Sequence, residues 1–182
     1  PDRSNQSYFL PKTYLTLWRL FCERFFLHRI FQKSRLMNSY YRTYMDYNKE
    51  CYVEQISGAA LLIKREVVDK IGFLDEKFFM YFEESDYCLQ AVKKGYKMLY
   101  YPDSKIIHLG GLGNPDKWDK STEFFSKSFK YYFIKNYNYF VFYSAVLMQV
   151  FGSLIRIFIL YLKCDEKYKY HFYYMMNILK TI

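Results

Sequence analysis

Residues 139–162, YFVFYSAVLMQVFGSLIRIFILYL, form the longest apolar run of the chain, and small or polar side chains interrupt it at a regular interval. Ala145, Gln149, Gly152, Ser153 and Arg156 recur at helical spacing and trace one narrow polar stripe. The run is long enough to cross a bilayer, yet an arginine near its middle is expensive in lipid. Lys127, Lys130 and Lys135 precede it and Lys163, Lys167 and Lys169 follow it, so the positive-inside rule assigns no orientation. A helix lying in the membrane interface accounts for the stripe and for both basic flanks. A spanning helix and a buried core helix are the alternatives.

Upstream the pattern changes from segment to segment. Residues 1–13 carry turn formers without an apolar period and read as an extended loop. Leu17, Leu20, Phe21, Phe25, Leu27 and Ile30, set among Arg and Lys, predict a basic amphipathic helix over 14–36. Residues 38–50 are polar and aromatic and read as a connector. The stretch 51–63, CYVEQISGAALLI, predicts a buried strand, and 64–72, KREVVDKIG, a short helix stopped by Gly72. Helical spacing returns over 85–95 and ends at Gly95. Two short strands around Pro102 are predicted over 96–108, and 109–122 is rich in Gly, Asn, Pro and Asp and reads as a loop. No internal repeat is visible.

Composition narrows the class. The chain has 182 residues, of which 52% are hydrophobic and 23% aromatic, enough for one packed core and too apolar for a disordered segment. A net charge of +9 favours an anionic partner: nucleic acid, anionic lipid or a phosphorylated substrate. The aromatic residues fall at core-like or helical spacing and no RNA-binding sheet motif is present, so nucleic acid is not the expected partner. Cys22, Cys51, Cys88 and Cys164 show no CxxC pair or metal spacing, which predicts a reducing compartment. The chain opens on Pro1, and the expectation is a piece of something longer.

The densest chemistry lies in FFMYFEESDYC, residues 78–88, where Glu83, Glu84 and Asp86 crowd into an aromatic run that includes Phe79, Tyr81 and Phe82. Carboxylates at the start of a helix favour the positive end of its dipole, with Ser85 as the cap. Clustered carboxylates also raise at least one proton affinity, which suits a general base. These residues alone leave both readings open. His108 ends a predicted strand and precedes Gly110 and Gly111; a lone histidine there is more often structural, although the glycines permit close approach to a ligand. No P-loop, no GxGxxG and no Asp-x-Asp occurs, and His28 and His171 carry no assigned role.

Set together, residues 56–111 resemble the C-terminal half of a family 2 glycosyltransferase, most closely the bacterial rhamnosyltransferase-like group that builds surface polysaccharides. The shared features are Ser57-Gly58-Ala59, Lys64-Arg65, and then Gly72, Asp75, Glu76, Phe78, Phe79 and Tyr81. Glu83-Glu84, Asp86, Cys88, Gly95, Pro102, His108, Gly110 and Gly111 follow in order. The resemblance covers about residues 1–137. It implies an α/β fold: an incomplete GT-A domain lacking its N-terminal nucleotide-binding half, followed over 138–182 by apolar or amphipathic helices associated with the membrane.

It also implies inverting transfer from a nucleotide-sugar donor to a glycan or lipid-linked acceptor at the cytoplasmic face of a bacterial inner membrane. Glu84 would be the base, with Glu83 and Asp86 as catalytic neighbours. Gly58, Ala59, Tyr81, Gly110 and Gly111 would lie at the substrate, and His108 at a Mg²⁺ or Mn²⁺ ion bound mostly by the missing half. Two departures stand out: Glu84 replaces the usual aspartate, and Gln90 replaces an arginine that would pair with the acidic turn. A non-catalytic basic module that binds membrane or nucleic acid is the alternative.

Overall fold

The computed structural model describes residues 11–104, 106 and 118–182. These residues are mostly helical. The elements are α1 (Leu17–Arg24), α2 (Leu27–Ile30), β1 (Cys51–Val53), α3 (Arg65–Ile71), α4 (Glu83–Lys93), β2 (Met98–Tyr100), α5 (Trp118–Asn136), α6 (Tyr139–Leu162) and α7 (Tyr168–Leu179). β1 and β2 pair antiparallel with Tyr52 opposite Leu99, and they form the only sheet among the described residues. The α/β expectation is therefore met only by a small ribbon beside a helical body.

The long strand expected over 51–63 stops at Val53 because the chain turns at Ser57. Its hydroxyl accepts from the Ala59 N–H at 3.4 Å and opens a single 3₁₀ turn, Gly58–Ala60. The helix expected over 14–36 breaks at Phe26, which adopts φ 61°. There the Arg156 guanidinium donates to the carbonyls of Glu23 and Arg24 at 3.0 and 2.8 Å, capping α1 from outside. Gly72 and Gly95, with φ of 85° and 86°, close α3 and the turn after α4 as their positions predict. α5 begins inside the stretch read as a loop, and α6 has the bounds of the apolar run. Asn138 caps α6 by accepting from the Val141 N–H at 2.9 Å.

α5, α6 and α7 pack on one another, and α1 lies against α6. Phe129, Tyr132 and Phe133 of α5 meet Phe142 and Val146 of α6, Ile178 of α7 and Leu20 of α1 in one buried cluster. Burying a Phe of this kind contributes about 1.5–3 kcal/mol, so α5 carries much of the core. The polar stripe of α6 does not face solvent. Gln149, Gly152, Ser153 and Arg156 are all buried, and Arg156 also pairs with the Glu23 carboxylate at 3.1 Å.

Candidate functional site

The acidic segment enters α4 through a strained turn. Tyr81 and Phe82 both adopt left-handed backbone, with φ of 70° and 68°, a region that costs a bulky residue about 1–3 kcal/mol. α5 holds the turn in place. Phe82 is buried against the rings of Phe125, Phe129 and Tyr132. Tyr81 shares a hydrogen bond of 3.0 Å with Ser121, and Ser128 donates to the Met80 carbonyl at 2.7 Å. Phe78 is also core, against Tyr131, whereas Phe79 is 74% exposed. Ser85 is not the cap. The helix starts two residues earlier with Phe82 at its N-cap, so Glu83, Glu84 and Asp86 all stand in its first turn.

The three acids then part company. Asp86 is buried and fully engaged: Lys135 Nζ lies 2.7 Å from Oδ2, Asn136 donates to Oδ1 at 2.8 Å, and Gln90 adds a longer bond of 3.4 Å. Lys135 simultaneously holds Asp75 at 2.7 Å, and the Tyr131 hydroxyl donates to the same oxygen at 2.8 Å. The acidic turn thus has the cation that Gln90 cannot supply, delivered by α5.

Glu84 faces the other way, toward the 3₁₀ turn. Burial first and the neighbouring Glu83 charge second raise its proton affinity above the ordinary carboxylate value. Backbone N–H groups of Glu84 itself and of Gly58 oppose that rise, as does the charge of Lys12. One oxygen on each of Glu83 and Glu84 (Oε2) is shielded from solvent and has no hydrogen-bond partner among the described residues. Gly58 therefore meets Glu84 through its amide, and a Cβ there would make only ordinary contact, 3.7 Å from Glu84 Cβ. Ala59 shares the same turn. Cys88, one helical turn beyond Glu84, is buried, and its thiol is pushed up to about 11 by burial.

Lys12 belongs to this site and nothing in the sequence marked it among so many lysines. Its ammonium lies 5.8 and 5.4 Å from the ring centroids of Tyr40 and Tyr41. Burial lowers its pKa, while Glu23 and Glu84 pull it back up. The structure thus brings together Gly58, Ala59, Glu83, Glu84 and Lys12, and places Asp86 in a separate ion-paired cluster. His108, Gly110 and Gly111 lie outside the described residues. Among the described residues no three His, Cys, Asp or Glu side chains gather for a metal. What the arrangement offers is a shielded carboxylate of raised basicity with a vacant acceptor position, which suits taking a proton from a hydroxyl.

No family model matches the chain, and no solved structure matches it. It is 34% identical over 53 residues to the N-acetylglucosaminyl-diphospho-decaprenol L-rhamnosyltransferase of Mycobacterium tuberculosis, a segment covering 29% of this chain and 17% of that protein. It is 41% identical over 39 residues to a low-salt glycan biosynthesis hexosyltransferase of Haloferax volcanii, covering 21% of this chain and 13% of that protein. The chain therefore matches less than a fifth of the length of these curated relatives. The similarity is local and relates the chain to glycosyltransferases.

Proposed function

We propose that the chain is the acceptor-side part of an inverting family 2 glycosyltransferase of GT-A type. The observation that carries the reading is Glu84: a half-buried carboxylate with raised proton affinity and one shielded, unpartnered oxygen, at the entry of α4 behind a strained turn. In the proposed reaction an acceptor hydroxyl gives its proton to Glu84 as its oxygen bonds to the anomeric carbon of a nucleotide sugar. The bond from that carbon to the nucleoside diphosphate breaks, and the diphosphate leaves with the electron pair. An alcohol is a weak nucleophile, so a positioned base contributes about 10²–10⁴-fold.

The names of the relatives point to a rhamnose-like hexosyl donor and a lipid-linked or glycan acceptor. In this proposal the work is done at the cytoplasmic face of a bacterial inner membrane, where a lipid-linked acceptor would be held. The charge of Lys12 opposes part of the rise in Glu84 proton affinity that burial and Glu83 produce. The divalent cation expected of such an enzyme finds no ligand set among the described residues. The donor's diphosphate and the cation belong, in this proposal, to polypeptide outside these 182 residues. The isolated chain then binds nucleotide sugars weakly and turns none over.

The test is Glu84→Gln in the full-length gene product, assayed for transfer of labelled sugar to a polyprenyl-diphosphate acceptor. The expected outcome is a loss of about 10²–10⁴ in kcat with donor binding retained. Near-normal turnover, or an equal loss in Glu83→Gln alone, would move the base elsewhere.

A further inference from the structure

α6 has two opposite faces, and only one is used inside the protein. Leu147, Phe151, Leu154, Phe158 and Leu162 follow one another at steps of three or four and are 46–65% exposed. The helix is long and apolar enough to cross a membrane by length and composition, and the exposed face runs most of its length of about 36 Å. A helix whose polar side is spent on Glu23 and Arg24 presents its remaining apolar side outward, the reverse of a water-facing helix.

A second feature adjoins it. The Arg156 guanidinium lies 4.4 Å from the Phe26 ring centroid, and the Arg29 guanidinium lies 5.6 Å from the same ring. The short α2 is thereby fastened beside the C-terminal half of α6. α2 and the turn after it expose Ile30 and Phe31 between Arg29, Lys33 and Arg35. None of these three cations takes part in the ion pairs formed among the described residues, nor does Lys163 at the end of α6. Lys33 and Arg35, with Gln32, Thr43 and Tyr44, also line an open depression.

We propose that the outer face of α6 and the basic α2 turn form one docking surface for an anionic phospholipid bilayer, with α6 lying in the plane of the interface. Apolar side chains enter the acyl boundary while the unpaired cations meet lipid phosphates, and the net charge of +9 adds long-range attraction. An in-plane orientation follows from the packing. Turning α6 across the bilayer would either strip Arg156 from Glu23 or drag the charged end of α1 into hydrocarbon. The inference deepens the reading of the chain as part of an enzyme with a lipid-linked acceptor, and rests on it for its purpose.

The experiment is sedimentation of the 182-residue chain with vesicles of phosphatidylcholine alone and of phosphatidylcholine mixed with phosphatidylglycerol. Binding is expected to the mixed vesicles and to fall with added salt. Replacing Arg29, Lys33 and Arg35 together by Gln should weaken it on the order of a hundredfold, since each cation near the surface contributes roughly a fivefold factor. The charge-preserving pair Arg29→Lys and Arg35→Lys should bind as the parent does, which separates charge from misfolding. Phe151→Ser with Phe158→Ser should weaken binding to both kinds of vesicle.

Equal binding to neutral vesicles, untouched by the triple change, would overturn the proposal. So would resistance to alkaline extraction with protease protection of 139–162, which marks a spanning helix, or preferential binding to RNA over vesicles. The enzyme reading fails separately: vesicle binding intact with no sugar transfer by the full-length protein leaves the docking surface standing. Transfer intact with no vesicle binding does the reverse.

Discussion

Lys135 Nζ stands 2.7 Å from Asp86 Oδ2, and this single contact decides how the acidic segment divides. The same ammonium reaches Asp75, so one lysine of α5 ties α4 to the loop before the Tyr81–Phe82 turn. Burial alone would lower the pKa of Lys135; the two carboxylates outweigh it and raise it. With Asp86 neutralised, Glu83 and Glu84 are left as the acids without a cation at bonding distance among the described residues.

Removing that ammonium should be costly. Lys135→Met leaves Asp86 buried and its charge uncompensated, an arrangement that costs about 3 kcal/mol. Urea unfolding monitored by near-ultraviolet circular dichroism should show a lower midpoint with an unchanged slope. Adding Asp86→Asn should recover part of the loss, since the two sites are in contact and not additive. Asp75 supplies a pH signature. Its carboxyl is held down to about 2, chiefly by the Lys135 hydrogen bond, against an ordinary value of about 3.9. Its contribution is complete above about pH 4 and fades as the pH falls toward about 2. In Lys135→Met the acid transition should move to higher pH; an unmoved transition would show that the bridge does not form in solution.

Glu84 offers a test that needs no substrate. Carbon-13 NMR of the glutamate carboxyls, with Glu84→Gln for assignment, should find one resonance titrating above the usual glutamate range. Glu83→Gln removes the like charge and should bring that value down, while Lys12→Gln should push it further up. A Glu84 that titrates normally in all three proteins would mean that the turn is solvated and that burial does not tune the residue.

The sequence made the helices legible where one face is apolar and a glycine or polar cap ends the run. α3, α4 and α6 lie where their periodicity puts them, and Gly72 and Gly95 take the left-handed conformations their positions require. The start of α5 was hidden because residues 118–122 close a stretch rich in Gly, Asn, Pro and Asp, although Phe125, Phe129, Tyr132 and Phe133 further along recur at helical spacing on one face and serve the core. The break at Phe26 was hidden too, since its cause is Arg156, a residue far along the chain that no local pattern connects to it. At the site, the clustering of acids was plain but their division was not. Asp86 and Glu84 differ only in which face of α4 they occupy and in what α5 and the 3₁₀ turn bring to meet them.

The approach of α1 to α6 depends on Gly152. A Cβ there would lie 2.8 Å from Arg24 Cβ and 2.9 Å from Arg24 Cδ. Alanine would gain about 1 kcal/mol of helix propensity, but the near contact is to a Cβ, which moves only with the α1 backbone. Overpacking of this kind costs about 1–3 kcal/mol, so Gly152→Ala should be neutral to destabilising and Gly152→Val clearly destabilising by thermal melting. A more stable Gly152→Val protein would show that α1 does not seat on α6.

Acid sensitivity should also come from His171. Burial first, and then the nearby Arg156 and Arg24 charges, hold its pKa down to about 4, with Glu23 opposing. The unfolded chain titrates near 6.5. Between about pH 6.5 and about pH 4 the unfolded state takes up a proton that the folded state refuses, so stability falls with the pH across that window. Below about pH 4 the folded state accepts the proton too and the loss levels off. His28, also lowered chiefly by burial, acts in the same sense, while the raised Glu84 acts against it by binding its proton earlier in the fold. The informative quantity is therefore a difference. Across the same pH range, the melting temperature of His171→Gln should decline less than that of the parent. Parallel curves for the two proteins would place His171 in contact with water rather than behind Arg24 and Arg156, and would loosen the packing assigned to α7.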